Sequence, residues 1–369
     1  MELKRDYFLK LKQKKSIAER NSYYFNRLAK EDNFNKFEKR YFENRAIRIR
    51  NCLNFWLWDV YKKNKVMDLK KVSRCKDIFC PNCRMFAVSK ALINFSPFFK
   101  RMLMLERTPY IMTLTIPNEK ADNLEKTINK MNKAFYTLWR WLYYPVTKKE
   151  SSILGFKNRL FNAIGAVKVL EVTVQKSDYN YFHVHYHVII FMENEFKGYF
   201  IKDRPGGYQL RSESNIYYSD ADIFIQKLWK MAFDKIKIKE FKNLSDDWQS
   251  NYVCDIRELE IPEGLYEVFK YCFKDVDAKN YQVFKNLYYG LRNKRIRQGY
   301  GELLGLNKLE KSFKKDNYAE NDDIENYLKF YEDPEQYYTG AILDMVNQCK
   351  DYIKVSRFKN DAEVMRIKG

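Results

Sequence analysis

The run Tyr181-Phe-His-Val-His-Tyr-His-Val-Ile-Ile-Phe191 contains all three histidines of the chain, His183, His185 and His187. Its β-branched and aromatic residues predict a strand. Successive side chains of a strand point to opposite faces, so residues two apart share one. The three imidazoles therefore lie on one face, and Phe182, Val184, Tyr186, Val188 and Ile190 lie on the other. The apolar row suits a buried core, and the imidazole row suits a wet site. Neutral imidazole is a ligand for divalent metals. A merely decorative polar row leaves unexplained why the histidines crowd here and occur nowhere else.

Working outward, Ala166-Val-Lys-Val-Leu-Glu-Val-Thr-Val174 reads as a second strand. Ser177-Asp-Tyr-Asn180 turns it back into the histidine run, which predicts an antiparallel hairpin. Counting from the turn puts Glu171 opposite the 185–187 region, but a slip of one residue moves it to the other face. A carboxylate in an apolar strand is costly unless it is paired, ligating or exposed. Glu171 is thus either a third metal ligand beside His185 and His187 or a solvated side chain. Tyr110-Ile-Met-Thr-Leu-Thr-Ile-Pro-Asn118 is another predicted strand, ended by Pro117. Leu124, Ile128, Met131, Phe135, Leu138 and Leu142 then recur at helical spacing, giving one apolar stripe that suits packing on a sheet. Ile223–Phe233 reads as an amphipathic helix and Asp255–Ile261 as a further strand. The implied class is α+β: a central antiparallel sheet with packed helices.

Four of the seven cysteines come earlier. Cys80-Pro-Asn-Cys83 has the spacing that lets two thiolates of one tight turn grip one ion. Structural zinc needs four ligands, and Cys52 with Cys75 completes the set. Leu53–Lys71 can form the hairpin that closes the loop. A redox C-x-x-C is the competing reading. Cys254, Cys272 and Cys349 lack such spacing and read as ordinary buried thiols.

The chain has 369 residues and a formal net charge of +20, which favours an anionic partner, nucleic acid first. Its 46% hydrophobic and 17% aromatic content permits a substantial core. The N-terminus, Met1-Glu-Leu-Lys-Arg-Asp, has no apolar signal core. No run of about 18 apolar residues occurs, so no membrane span is expected. Cysteines without a secretion signal suit reduced thiols or metal ligands and a cytoplasmic location.

Residues 1–50 are highly charged, as in Lys10-Leu-Lys-Gln-Lys-Lys15, and read as helix or a basic arm. In Leu265-Tyr-Glu-Val-Phe-Lys-Tyr-Cys-Phe-Lys-Asp-Val-Asp277, helical spacing puts Glu267, Tyr271 and Lys274 on one face. Leu291-Arg-Asn-Lys-Arg-Ile-Arg-Gln-Gly-Tyr-Gly301 combines Lys294, Arg295 and Arg297 with a glycine turn; it either contacts phosphates or is a solvated loop. Four divisions follow: a basic arm or helix over 1–50, a cysteine-rich module with a linker helix over 51–105, the main domain over 106–301, and a helical extension over 302–369.

These segments, together and in this order, resemble the rolling-circle replication initiators of small bacterial plasmids, within the HUH endonucleases. The resemblance runs from about Cys52 to Gly301. It is carried by the cysteine cluster, Thr113-Leu-Thr-Ile-Pro-Asn118, His183-Val-His-Tyr-His187 preceded by Glu171, and Glu267-Val-Phe-Lys-Tyr-Cys-Phe-Lys274. The family usually has Pro at Val184 and Phe at Tyr186; both positions point away from the imidazoles, so ligation should survive.

The resemblance implies a nick made by Tyr271, leaving a 5′-phosphotyrosine and a free 3′-OH. It implies Mg or Mn held by His185, His187 and Glu171, with His183 as a further ligand or an orienter. Lys274 would stabilise phosphate or phenolate, and Glu267 would activate a water for a closing hydrolysis. The implied partner is plasmid origin DNA, single-stranded or extruded at the nick, with a host replication helicase as a candidate second partner. A single-tyrosine transposase or relaxase of the same superfamily is the enzymatic rival. A non-enzymatic, zinc-stabilised DNA-binding regulator explains charge and cysteines but not the histidine strand.

Overall fold

The computed structural model of the chain describes residues 5–53, 55–61, 66–72, 74–144, 162–175, 179–193, 209–211, 216–218, 220–244, 252–259, 278, 280–305, 337–343, 352–355 and 365–366. The helices are α1 (Arg5–Ala29), α2 (Lys36–Arg50), α3 (Pro81–Met104), α4 (Leu124–Tyr143), α5 (Asp220–Asp234) and α6 (Tyr281–Leu291). The strands are β1 (Phe55–Tyr61), β2 (Val66–Val72), β3 (Thr108–Thr115), β4 (Glu119–Lys120), β5 (Ala163–Val174), β6 (Tyr181–Met192), β7 (Gln209–Arg211), β8 (Ile216–Tyr218), β9 (Cys254–Glu258), β10 (Arg297–Gly301), β11 (Tyr337–Leu343), β12 (Tyr352–Val355) and β13 (Met365–Arg366). They fall into two compact units, Met1–Ala87 with Phe313–Gly369, and Val88–Ser312. Helices with antiparallel sheets make this the α+β class that the patterning implies.

The second unit is built on the predicted hairpin. β5 and β6 pair antiparallel and sit inside the order β10-β5-β6-β3-β9, with β4 also pairing β6. The apolar row of β6 is fully covered: Phe182, Val184, Tyr186, Val188 and Ile190 are buried. The helical stripe of α4 meets this row, Phe135 packing edge-on to Tyr186 at 5.8 Å. From α5, Trp229 packs against Tyr186 at 6.3 Å and donates Nε1–H to the Thr115 carbonyl at 2.6 Å.

The other face of β6 changes character along its length. Ile189 and Phe191 are buried under α3 with Phe95, Phe99, Met102, Ile111 and Val167. Phe99 meets Phe191 edge-on at 5.6 Å. Toward the start of the strand that cover stops. His183 and His185 are half-buried, and His187 stands at the lip of the core.

In the first unit α1 and α2 form a helical hairpin. Phe25 stacks on Phe42 at 6.4 Å, and Ser22 Oγ donates to the Ala46 carbonyl at 2.8 Å. Asn35 caps α2 through the amides of Phe37 and Glu38, while the Glu38 carboxylate accepts from the Asn35 amide, a capping box. The described residues of the charged first segment are therefore two helices joined by the turn over 30–35. β1 and β2 form the hairpin expected within Leu53–Lys71.

The C-terminal segment differs from its helical expectation. The described residues of 302–369 give one short 3-10 turn, Glu302–Leu304, and then strands. β11 pairs with β1, Phe55 opposite Leu343, and the sheet runs β13-β12-β11-β1-β2. The charged residues suggested helix, but Tyr337-Tyr-Thr-Gly-Ala-Ile-Leu343 is aromatic and β-branched enough to add to a waiting edge. Among the described residues, no helix is long and apolar enough to cross a membrane.

Candidate functional site

The register of the hairpin settles which way Glu171 points. Glu171 pairs with His185, and Val169 with His187. Directly opposed residues of an antiparallel pair share a face, so the Glu171 carboxylate lies on the imidazole side. On the other flank, β3 sets Thr113 against His187 and Thr115 against His185.

His187 is gripped from both sides. Its Nε2 lies 2.6 Å from Glu171 Oε2, and its Nδ1 lies 3.3 Å from Thr113 Oγ1. Both partners are well covered, His187 at 7% and Glu171 at 4% exposure. The ring of His185 stands 6.4 Å from that of His187 and stacks at 6.1 Å on that of His183. Burial lowers the His183 pKa, which favours the neutral ring that can ligate. Neighbouring imidazoles and a carboxylate on one face are the donor types that suit a divalent cation, and they do not select Mg over Mn. Among the described residues these four do not bunch as the cysteines do, for only the cysteine group brings its ligand atoms within 4.8 Å of one another.

Thr113 escaped the sequence reading as a site residue. Its signal lay in alternation: Thr113 and Thr115 are alternate polar positions after the apolar run Pro109–Met112, and strand pairing brings them to the histidines. Asp255 also reaches this face by register, opposite Thr113 on β9.

The basic cluster divides. Lys294 is held by α4, its Nζ donating to Glu125 Oε1 at 3.1 Å and Asn129 Oδ1 at 2.8 Å. Arg295 is exposed. Arg297 pairs with Val169 on β10 and thus faces the imidazole side. Tyr271, Glu267 and Lys274 lie outside the described residues, as do Cys272 and Cys349. Cys254 is fully buried.

In the first unit Cys52, Cys75, Cys80 and Cys83 converge, all four sulphurs lying within 4.8 Å of one another. Cys83 Sγ is 3.4 Å from Cys52 Sγ and 3.5 Å from Cys75 Sγ. Tetrahedral zinc with bonds of about 2.3 Å sets sulphurs about 3.8 Å apart, so the group fits a structural zinc site. Hydrogen bonds from Cys52, Cys75 and Cys80, with the Lys76 amide at 3.2 Å, hold the Cys83 thiol well below its ordinary pKa. The bond to Cys52 and burial push Cys75 and Cys80 above theirs, the contact with Cys75 working against the rise at Cys80.

The loop that presents these thiols is clamped by the helical hairpin. Asp77 accepts from the Phe79 amide at 2.8 Å and forms a forked pair with Arg45 of α2, through Nε and through Nη2 at 3.0 Å. Arg45 also lies 4.4 Å over the Phe25 ring. Lys15 of α1 donates to the carbonyls of Arg50 and Cys52, at 2.5 and 2.9 Å. Asn21 donates to the Phe79 carbonyl at 2.8 Å.

Residues 66–205 match the family model described as replication protein. The chain is 29% identical to a Staphylococcus aureus protein described as Protein rep, over 248 residues that make up 66% of this chain and 89% of that one. No solved structure matches. By sequence the chain is thus similar to replication proteins.

Proposed function

We propose, starting from those matches, that the chain initiates rolling-circle replication of a plasmid by nicking one strand at the origin through HUH chemistry. The observation that carries the reading is the His187–Glu171 contact on a face shared with His183 and His185. A cation held by His185, His187 and Glu171 would polarise the scissile phosphate as a Lewis acid. Thr113, at Nδ1, would orient the His187 ring and leave Nε2, 2.6 Å from the Glu171 carboxylate, to hold the cation with it.

In this reading the Tyr271 oxygen bonds to phosphorus as the bond to O3′ breaks. The products are a 5′-phosphotyrosine and a 3′-OH, and the phenolic proton ends on the 3′ oxygen. An ordinary tyrosine hydroxyl has a pKa of about 10, so it needs a site that stabilises its anion. Lys274, one turn on in the expected helix, serves that role. Glu267, one turn before, directs a water at the phosphotyrosine to release the DNA. The four cysteines hold a structural zinc.

Nicking of supercoiled origin DNA with Mg or Mn tests this. Tyr271→Phe is expected to abolish both nick and covalent adduct, while Glu267→Ala nicks and releases slowly. A nick that survives Tyr271→Phe would show the assignment to be wrong.

A further inference from the structure

The outer face of α2 carries an arrangement that the nicking reaction does not use. Phe37 is 86% exposed and Tyr41 is 50% exposed, one helical turn apart. Capping fixes the first turn beneath Phe37. Tyr41 is steadied from behind: Arg45 Nη1 donates to its hydroxyl at 3.4 Å, and Arg45 is itself locked to Asp77. Around the two rings stand Lys36, Arg40 and Arg48, all exposed, with Asn44 and Ile47 between. Of the basic residues of α2, Arg45 alone is turned inward.

Exposed aromatic rings are costly in water, and here two lie on a helix whose exposed charges are mainly positive. Proteins that hold single strands combine these features: rings on which bases stack and cations that track the phosphates. We infer that the outer face of α2 is a binding surface for single-stranded DNA, with bases stacked on Phe37 and Tyr41 and phosphates paired with Lys36, Arg40 and Arg48. The inference rests on the reading of the chain as a DNA-processing initiator, since a nicked origin liberates such a strand. The surface is sequence-tolerant, because every base has a flat face and no groove is read.

The test is fluorescence anisotropy of the full chain with a labelled oligothymidylate of about 20 nucleotides, long enough for one binding site. The probe has no origin, so strand cleavage plays no part, and the Tyr271→Phe nicking result stands or falls separately. The double variant Phe37→Ala/Tyr41→Ala is expected to bind at least about tenfold more weakly. Both rings lie outside the core, and circular dichroism checks that the helices persist. Arg40→Glu/Arg48→Glu is expected to weaken binding and flatten its salt dependence. Unchanged affinity of either folded variant for the oligothymidylate overturns the proposal. So does a ring variant that loses only duplex binding.

Discussion

His187 sits where a buried core gives way to a wet face, and each neighbour has a separable job. Glu171 contacts Nε2 and Thr113 contacts Nδ1. Replacing His185 and His187 with Ala is expected to abolish nicking in a folded protein, since both rings lie outside the apolar row that builds the core. Glu171→Gln keeps the shape but removes the charge, and should weaken Mn binding by about 10- to 100-fold in a metal titration. Full nicking by the histidine double variant would dismiss the metal site. The shared imidazole face was readable from alternation alone. The side taken by Glu171 was not, because a one-residue slip reverses it, and only the pairing with His185 decides.

Lys168 was not readable as special at all. It lies on the apolar row of β5 and is 1% exposed. Its Nζ donates to Asn132 Oδ1 at 2.6 Å and lies 4.4 Å over Tyr186 and 5.0 Å over Phe135. Burial brings its pKa from 10.5 down to about 7. Between those values the unfolded chain holds a proton that the folded chain lacks, so this group makes stability rise with pH across that window. Above it the trend reverses, because burial raises the Tyr186 and Tyr300 hydroxyls. Lys168→Met leaves Asn132 Oδ1 with the Tyr186 hydroxyl, 3.0 Å away, as donor. It should raise stability at pH 7 and remove this lysine's share of the rise between pH 7 and 10 in urea titrations.

At the scale of elements, the cysteine loop and the helical hairpin are one device. C-x-x-C spacing announced the thiols, and the structure brings Cys52 and Cys75 to them. What spacing could not announce is the clamp, because Arg45–Asp77 joins residues far apart in sequence and looks like any charged pair. Asp77→Asn leaves the Arg45 guanidinium buried without its counter-charge, which typically costs about 3–5 kcal/mol. Chemical denaturation should show that loss, with a lower retained zinc content by elemental analysis. Cys83→Ser should lose zinc outright, and a wild-type protein without zinc under reducing conditions would refute the site. Helical stripes and the central hairpin were legible for the same reason that the clamp was not: periodicity is local, and ion pairing is not.

For the whole molecule, charge is the dominant fact. A net +20 spread over 369 residues gives a long-range attraction to any polyanion. DNA affinity should therefore fall steeply with salt, about tenfold or more between 50 and 200 mM for several neutralised phosphates, in a filter-binding or anisotropy series. A flat salt profile would mean that the charge has another purpose. Net charge told of a polyanion without saying where it docks, since Lys294, one of the expected contacts, is turned instead to Glu125 and Asn129.

The pairing of Phe55 with Leu343 sets an order of assembly during synthesis. While a ribosome is still translating the middle of the chain, β1 has, among the described strands, only β2 beside it, and the edge that β11 will take is unfilled. Every described strand of the sheet around β6 has been made by the time Gly301 emerges. The first unit, begun earliest, is completed last. A nascent or truncated chain lacking β11 presents β1 as an unfilled edge, the feature through which strands of neighbouring chains join.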